Sequence, residues 1–390
     1  MLHHTGSLPQ SMGKAFLFPA GFGFSVKSKI MKSILNKEKP VIIAGPCSAE
    51  SQEQLVEVAK ELSKQGVEIL RAGIWKPRTR PGSFEGVGSI GLKWMQAAKL
   101  ETGMKIATEV ANVKHVYEAL SAGVDLVWIG ARTTSNPFAV QEIANALQGV
   151  NIPVLVKNPI NPDVDLWVGA IERLKKAGIK EVGAIHRGVS YYGKGLYRNN
   201  PEWQMPIELK KRIPGILLIN DPSHIAGKRS LLLTVAQKAM DLDFDGLMIE
   251  VHPKPQMALS DAEQQITPEE LTELRRQLII RSEIPTNHIV EDLDSLRGSI
   301  NQLDHDILDL LSIRMDVARN IGSYKKQNKM TVLQQTRWNH LLDEMVEKGS
   351  DRKLSGNFIE KVYKCIHEES INQQIKVVNS AKNIDQVGVI

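Results

Sequence analysis

Between Val41 and Val251 the chain alternates short, near-continuous apolar runs with longer amphipathic segments. Eight runs have strand length: Val41–Pro46, Ile69–Ile74, Lys105–Val110, Leu126–Ala131, Pro153–Asn158, Val182–Arg187, Ile216–Asp221 and Gly246–Val251. They are rich in valine and isoleucine, which predicts parallel strands buried on both faces. The segments between them predict helices. Glu53–Gln65 ends at Gly66, placed to be a C-terminal cap. Val113–Ser121, Leu166–Lys176 and Lys228–Met240 follow the same pattern. Thr267-Pro268-Glu269-Glu270 is a capping box with proline at the first helical position, opening a helix to about Arg281. Eight strand–helix alternations predict an α/β fold, an eight-stranded parallel (TIM) barrel. The alternative is an open doubly wound sheet, which usually has fewer strands.

The pattern breaks at Ser282–Val290, which holds Pro285 and reads as a linker. Beyond it the period changes. Leu293, Leu296, Ile300, Leu303, Ile307, Leu310, Val317 and Ile321 recur at steps of three and four or their sums. That spacing predicts one long amphipathic helix from about Glu291 to Lys326. A second is expected from about Val332 to Glu347, stopped by Gly349, and a third from about Asn357 to Val377. Three helices with one so long bury an apolar stripe poorly, so this domain is expected to dimerise. The expected organisation is an irregular leader or expression scar (1–35), a barrel domain (36–281), a linker (282–290), a helical domain (291–378) and a tail (379–390).

Composition narrows the classes. An apolar content of 42% over 390 residues suits a globular protein with a substantial core. A net charge of +5 without a dense basic block points away from nucleic acid. No apolar stretch is long enough to span a membrane. Two distant cysteines, Cys47 and Cys365, suit a reducing, cytoplasmic setting. Lys14 before Ala15-Phe16-Leu17-Phe18 faintly mimics a signal peptide, but Pro19, Gly21 and Gly23 interrupt it.

In a parallel barrel, functional groups gather where strands end. The first run delivers Cys47, the second Arg71 and then Lys76-Pro77-Arg78-Thr79. The next four end in Glu109, Arg132, Lys157 and Arg187. Asp221-Pro222-Ser223-His224 follows the seventh; Glu250 and His252 end the eighth, with Asp261 in the following loop. Taken singly, each has an ordinary reading: a cysteine is usually a small buried hydrophobe, and an arginine a rim charge. Together on one face they divide into two sets. Cys47, His224, Glu250 and Asp261 offer a thiolate, an imidazole and two carboxylates, suited to divalent Mn, Fe, Co or Zn. Arg71, Lys76, Arg78, Arg132, Lys157 and Arg187 form a cationic set suited to phosphates and carboxylates.

Gly45-Pro46-Cys47-Ser48, Lys76-Pro77-Arg78-Thr79, Ile129-Gly130-Ala131-Arg132, His186-Arg187-Gly188, Asp221-Pro222-Ser223-His224 and Ile249-Glu250-Val251-His252-Pro253 carry a resemblance. Over about Val41 to Arg281 the chain resembles 3-deoxy-D-arabino-heptulosonate 7-phosphate (DAHP) synthase of the type I beta kind, the first enzyme of the shikimate pathway. The resemblance implies condensation of phosphoenolpyruvate with erythrose 4-phosphate and release of phosphate. It implies metal ligation by Cys47, His224, Glu250 and Asp261. It assigns phosphoenolpyruvate to Arg71, Lys76, Arg132, Lys157 and Arg187, and the erythrose phosphate to Arg78 and Thr79. Asp221 joins the substrate set, Lys76 a catalytic role, and Glu109 is the candidate for proton handling. Two alternatives stand beside it. The related 3-deoxy-D-manno-octulosonate 8-phosphate synthase typically carries Ala-Asn-Arg-Ser in place of Pro77-Arg78-Thr79. A Schiff-base aldolase using Lys157 leaves Cys47 and His224 unexplained.

In the helical domain Arg314 and Lys325 lie eleven residues apart, about three turns, on one face. Arg297 lies nearly a quarter turn off that face. Arg337 is on the second helix, and Ser370 and Gln374 share a face of the third. The ordinary reading is a solvated face of a dimerisation module. The pattern Leu296-Arg297, Leu303-Asp304, Arg314, Lys325, Arg337 and Ser370-Ile371-Asn372-Gln373-Gln374 resembles the all-helical chorismate mutases, intertwined dimers that convert chorismate to prephenate. The resemblance makes Arg314, Arg337 and Lys325 ligands of the carboxylates and ether oxygen, with Arg297 supplied by a second chain. Gln374 would face the ether oxygen and Ser370 a carboxylate. Trp338 stands where many members carry glutamate, and Gln334 where many carry aspartate. The alternative is a sensor that binds prephenate without turnover. Because the leader holds no recognisable regulatory domain, the helical domain is expected to inhibit the barrel when prephenate or chorismate binds.

Overall fold

The computed structural model describes residues 40–76, 82, 84–193, 195–281 and 290–380. The expected leader and most of the tail and linker lie outside these residues, as do Arg78 and Thr79. The chain divides into two compact units, Met1–Glu283 and Ile284–Ile390.

The first unit is a closed parallel barrel of eight strands in sequence order. They are β1 (Val41–Gly45), β2 (Ile69–Arg71), β3 (Lys105–Val110), β4 (Leu126–Ile129), β5 (Val154–Lys157), β6 (Val182–His186), β7 (Leu218–Asn220) and β8 (Gly246–Glu250). Strand β1 closes the ring on β8, Val41 opposite Gly246 and Gly45 opposite Glu250. Most strands stop one to three residues before the apolar runs do. The remaining residues leave the ladder to enter the loops, which frees their side chains for the strand-end face. Ile43, Ile69, Leu126, Trp128, Leu155 and Met248 pack the barrel interior. A larger core, including Leu55, Leu62, Leu70, Ile106 and Trp167, seals the strands against the surrounding helices.

Helix starts follow the side-chain signals. Ser51 accepts from the Gln54 N–H at 3.1 Å to open the helix Gln52–Lys64. At the helix Pro268–Gln277 both halves of the capping box form: Glu270 N donates to Thr267 Oγ1 at 3.2 Å, and Thr267 N to Glu270 Oε2 at 2.8 Å. This helix ends at Gln277 rather than Arg281, because Leu278 turns to extended backbone. The expected helix Lys228–Met240 is a short 3-10 turn, Arg229–Leu231, followed by the helix Leu232–Asp241.

His186 is fully buried at the end of β6, its Nε2 2.5 Å from the Pro201 carbonyl and its ring against Trp203 and Phe244. Burial pushes its pKa down from 6.5 to about 4, with Arg187 adding to the effect. The folded state therefore refuses a proton that the unfolded chain accepts. The associated stability is present above pH 6.5 and is lost as pH falls toward 4, by about 3 kcal/mol in full. Denaturation midpoints between pH 7 and 5 should fall more steeply for the native chain than for His186→Asn. Parallel slopes would refute this.

The second unit holds three helices, Val290–Gln327, Gln335–Asp351 and Gly356–Asn379. The first and second each pack on the third. Gly349 does not stop the second helix, which runs on to Asp351. It is a close-packing site instead: a Cβ there would lie 2.5 Å from Ile359 Cγ1. Leu296, Ile300, Leu303, Ile307 and Leu310 on the first helix are all more than half exposed within this single chain. Among the described residues no helix is long and apolar enough to cross a membrane.

Candidate active sites

The backbone at the end of β1 makes the barrel site possible. Gly45 has φ +148°, and a Cβ there would stand 2.1 Å from the Arg71 carbonyl. Only glycine allows β1 and β2 to approach so closely. Beyond it, Cys47 is fully buried, its N–H donating to Gln265 Oε1 at 2.9 Å. Its Sγ lies 3.2 Å from Asp261 Oδ2 and 2.9 Å from Lys76 Nζ. Cys47, Glu250 and Asp261 each present a ligand atom, all within 4.8 Å of one another. Asp261 sits in the left-handed region at φ +51°, and Arg198 Nη1 donates to its other oxygen at 2.9 Å.

His224 stands beside this trio rather than within it. Its Nε2 is 3.8 Å from Glu250 Oε1, and its Nδ1 2.8 Å from Asp221 Oδ2. Nδ1 lies close to Asp221 without a hydrogen bond of good geometry, and Nε2 faces Glu250. Asp221 also accepts from Lys157 Nζ at 2.7 Å, both side chains buried.

The donor chemistry fits a divalent transition metal. Glu250 Oε1 is buried and accepts no hydrogen bond among the described residues. Burial pushes the Cys47 thiol up to about 12, helped by Glu250 and partly offset by Lys76. A cation at this point would relieve both costs, ionising the thiol and satisfying the carboxylate. Burial alone would raise the Glu250 and Asp261 carboxyls, but His224 and Arg71 hold Glu250 below its ordinary range, and Arg198 does so for Asp261. Burial would likewise lower Lys76, yet Cys47 and Glu250 outweigh it and raise its ammonium.

The described members of the cationic set lie around the same face. Arg71 is fully buried at the end of β2, with Nη2 3.4 Å from Glu250 Oε1. Its Nε and Nη1 find no acceptor among the described residues. Two buried guanidinium donors without acceptors are a cost that an anion removes. The face of Trp128 lies under both Arg71 and Lys157, at 5.1 and 5.9 Å from the ring centre. Trp128 Nε1 donates to Glu109 Oε2 at 2.8 Å, which pins that carboxylate. Burial lowers Arg187 to about 10, with Arg198 and Arg132 opposing its charge, and its Nη1 donates to Asn199 Oδ1 at 2.9 Å. Arg132 opens the short helix Ala131–Thr134 after β4.

Several supporting residues escaped the reading of strand ends. Gln264 Nε2 donates to Glu250 Oε2 at 2.6 Å, and Arg198 to both Asp261 and Gln264. They come from long loops, where no period marks them. Trp128 lies inside β4 and reads as core from its apolar run.

In the helical unit Lys325 Nζ donates to Gln374 Oε1 at 2.9 Å and to the Val332 carbonyl at 2.5 Å. Arg314 Nη1 donates to Ser370 Oγ. Lys325, Ser370 and Gln374 are buried, so the first and third helices bring four of the expected residues together. Arg337 is exposed on the second helix. Arg297 is exposed and pairs with its own neighbour Asp294 at 3.2 Å, away from the cluster's contacts.

Residues 24–284, well over half of the chain, match the model of the DAHP synthetase I family. The chain belongs to that family. Residues 296–375 match the chorismate mutase type II model. The protein thus carries a DAHP synthase and a chorismate mutase, a bifunctional enzyme of the shikimate pathway. A phospho-2-dehydro-3-deoxyheptonate aldolase of Thermotoga maritima is 34% identical over 237 residues, covering 61% of this chain and 68% of the relative. The crystal structure of a DAHP synthase from the same organism superposes with a TM-score of 0.56 at 32% identity, over 61% of this chain and 67% of that one. A 2-dehydro-3-deoxyphosphooctonate aldolase of Wolinella succinogenes is 27% identical over 266 residues, 63% of this chain and all of the relative. The synthase matches cover the barrel, and the mutase match covers the helices.

Proposed function

We propose that the synthase barrel condenses phosphoenolpyruvate with erythrose 4-phosphate, and that the mutase unit rearranges chorismate to prephenate. The observation that carries the barrel reading is the unsatisfied pair at its centre. Among the described residues Arg71 Nε and Nη1 have no acceptor, and Glu250 Oε1, 3.4 Å from the third guanidinium nitrogen, has no hydrogen-bond donor. The first calls for an anionic substrate and the second for a cation.

Cys47, His224, Glu250 and Asp261 would hold a divalent transition metal, which when bound supplies Lewis acidity to the acceptor aldehyde. Arg71, Lys157, Arg132 and Arg187 clamp the carboxylate and phosphate of phosphoenolpyruvate. Lys76 keeps its proton and faces the charge that develops on the reacting oxygens. The enol carbon attacks the aldehyde carbon, and water adds to the cationic carbon left behind. Glu109, held by Trp128, takes the proton from that water. The former aldehyde oxygen takes up one proton, and loss of phosphate, with the hemiketal hydroxyl giving up its proton, leaves the ketone.

Arg78 and Thr79 take the acceptor's phosphate. Arg78→Ala should therefore raise the KM for erythrose 4-phosphate by about tenfold or more while moving that for phosphoenolpyruvate little. Steady-state kinetics with each substrate varied will decide, and equal effects would overturn the assignment. The second reading is an octulosonate synthase, favoured by similarity to the Wolinella enzyme, which the Pro77-Arg78-Thr79 sequence opposes.

For the mutase, the stripe from Leu296 to Leu310 supports an intertwined dimer, since a single chain leaves it exposed. A second chain's Arg297 would then complete the site built by Arg314, Lys325, Arg337, Ser370 and Gln374. Prephenate, bound there, inhibits the synthase through the fusion. A short linker keeps the two units at high effective concentration, and a coupling of about 1–3 kcal/mol is typical. Cleavage near Pro285 should yield a barrel that prephenate no longer inhibits. A truncated barrel inhibited as strongly as the full chain would remove the helical unit from that role.

A further inference from the structure

In the helical unit the Nε2 atom of His367 is buried and has no hydrogen-bond partner among the described residues. Such atoms in native proteins usually face a water or a ligand. His367 lies three residues before Ser370 and seven before Gln374, so all three share one face of the third helix. Ser370 accepts from Arg314, and Gln374 from Lys325, so this face is the one that carries the mutase cluster. The imidazole ring lies flat against Trp338 of the second helix, with centroids 3.9 Å apart and an interplanar angle of 6°. Trp338 is the sole tryptophan after residue 203, and its stack fixes the plane in which Nε2 points. Burial, followed by the charges of Arg314 and Lys325, holds the His367 pKa below its ordinary value.

A neutral imidazole beside two cations has a distinct task. Carboxylates are drawn to Arg314 and Lys325, whose charge far outweighs one neutral ring. An uncharged hydroxyl gains far less from those cations than a carboxylate does, and its own O–H can be read by a neutral nitrogen. We propose that His367 is a specificity-determining residue of the mutase unit, its Nε2 hydrogen-bonded to the ring hydroxyl of the dicarboxylate substrate, with Trp338 as the residue that positions it. This rests on the proposed rearrangement of chorismate and adds the group that reads the substrate's uncharged end.

The test compares chorismate with its analogue lacking the ring hydroxyl. Turnover and calorimetric affinity are measured on the full chain and on His367→Ala, His367→Gln, Trp338→Phe and Trp338→Ala. His367→Ala should lower kcat/KM and affinity for chorismate by about tenfold or more, yet leave the deoxy analogue nearly unchanged. His367→Gln, which keeps a hydrogen-bonding nitrogen at similar reach, should recover part of the loss. Trp338→Phe should retain the preference for the hydroxyl, and Trp338→Ala should weaken it. Equal losses on both compounds, or none on chorismate, would overturn the inference while leaving the mutase activity standing. If the native chain turns over neither compound, the proposed activity fails. The binding data then decide: a preference for the hydroxyl that His367→Ala abolishes upholds the contact, and no preference overturns it.

Discussion

Cys47→Ala should abolish condensation of phosphoenolpyruvate with erythrose 4-phosphate while leaving chorismate turnover intact. Cys47 Sγ is buried among Asp261, Lys76 and the ligand atoms of Glu250, and no other sulfur lies in the barrel unit's candidate cluster. Removing it takes away the softest donor of the set. Residues that merely support a ligand cost roughly 10–100-fold when changed, and a ligand itself should cost more. Metal content by elemental analysis should fall with the activity. Circular dichroism should stay native, since the side chain is small. Undiminished activity, or undiminished activity of the native chain after chelation, would sink the metal assignment.

Arg314→Ala should remove chorismate turnover. Its guanidinium donates to Ser370, next to the Lys325–Gln374 hydrogen bond, and so ties the first helix to the third at the buried heart of the cluster. One charge-assisted contact to a developing transition state is worth several kcal/mol, roughly a hundredfold or more in rate. Synthase activity in the absence of prephenate should be unaffected. A native chain that binds prephenate without turning chorismate over would establish the sensor reading. Trp338 and Gln334 would then be the residues to exchange for glutamate and aspartate.

The barrel was legible in the chain because each buried strand is a near-continuous apolar run, and because charge can enter such a run only at its end. Cys47, Arg71, Glu109, Lys157 and Glu250 were found that way, and they lie where β1, β2, β3, β5 and β8 end. What the pattern could not show are the side chains that hold those groups in place. Arg198 reaches Asp261, and Gln264 reaches Glu250, from loops without any period. Trp128 looks like core, and it is core, yet the same indole that fills the barrel carries two cations on its face and Glu109 on its edge. Gly349 misled for a related reason. A glycine near a helix end reads as a stop, but this one serves the approach of Ile359 and the helix continues through it.

The helical unit was legible by period for its long helix, and Arg314, Lys325, Ser370 and Gln374 were joined into one site by their pattern's resemblance to the all-helical chorismate mutases. His367 was not, because a lone histidine three residues before Ser370 carries no signal until Trp338 is seen lying flat against it.

The central claim is that the strand-end face joins phosphoenolpyruvate to a four-carbon acceptor with the help of a metal. Phosphate release from phosphoenolpyruvate measures this most directly, with erythrose 4-phosphate or arabinose 5-phosphate as acceptor, before and after chelation. Release with erythrose 4-phosphate, little with arabinose 5-phosphate, loss on chelation and recovery on adding a divalent transition metal is the predicted result. Release that favours arabinose 5-phosphate, or that ignores the chelator, would contradict it.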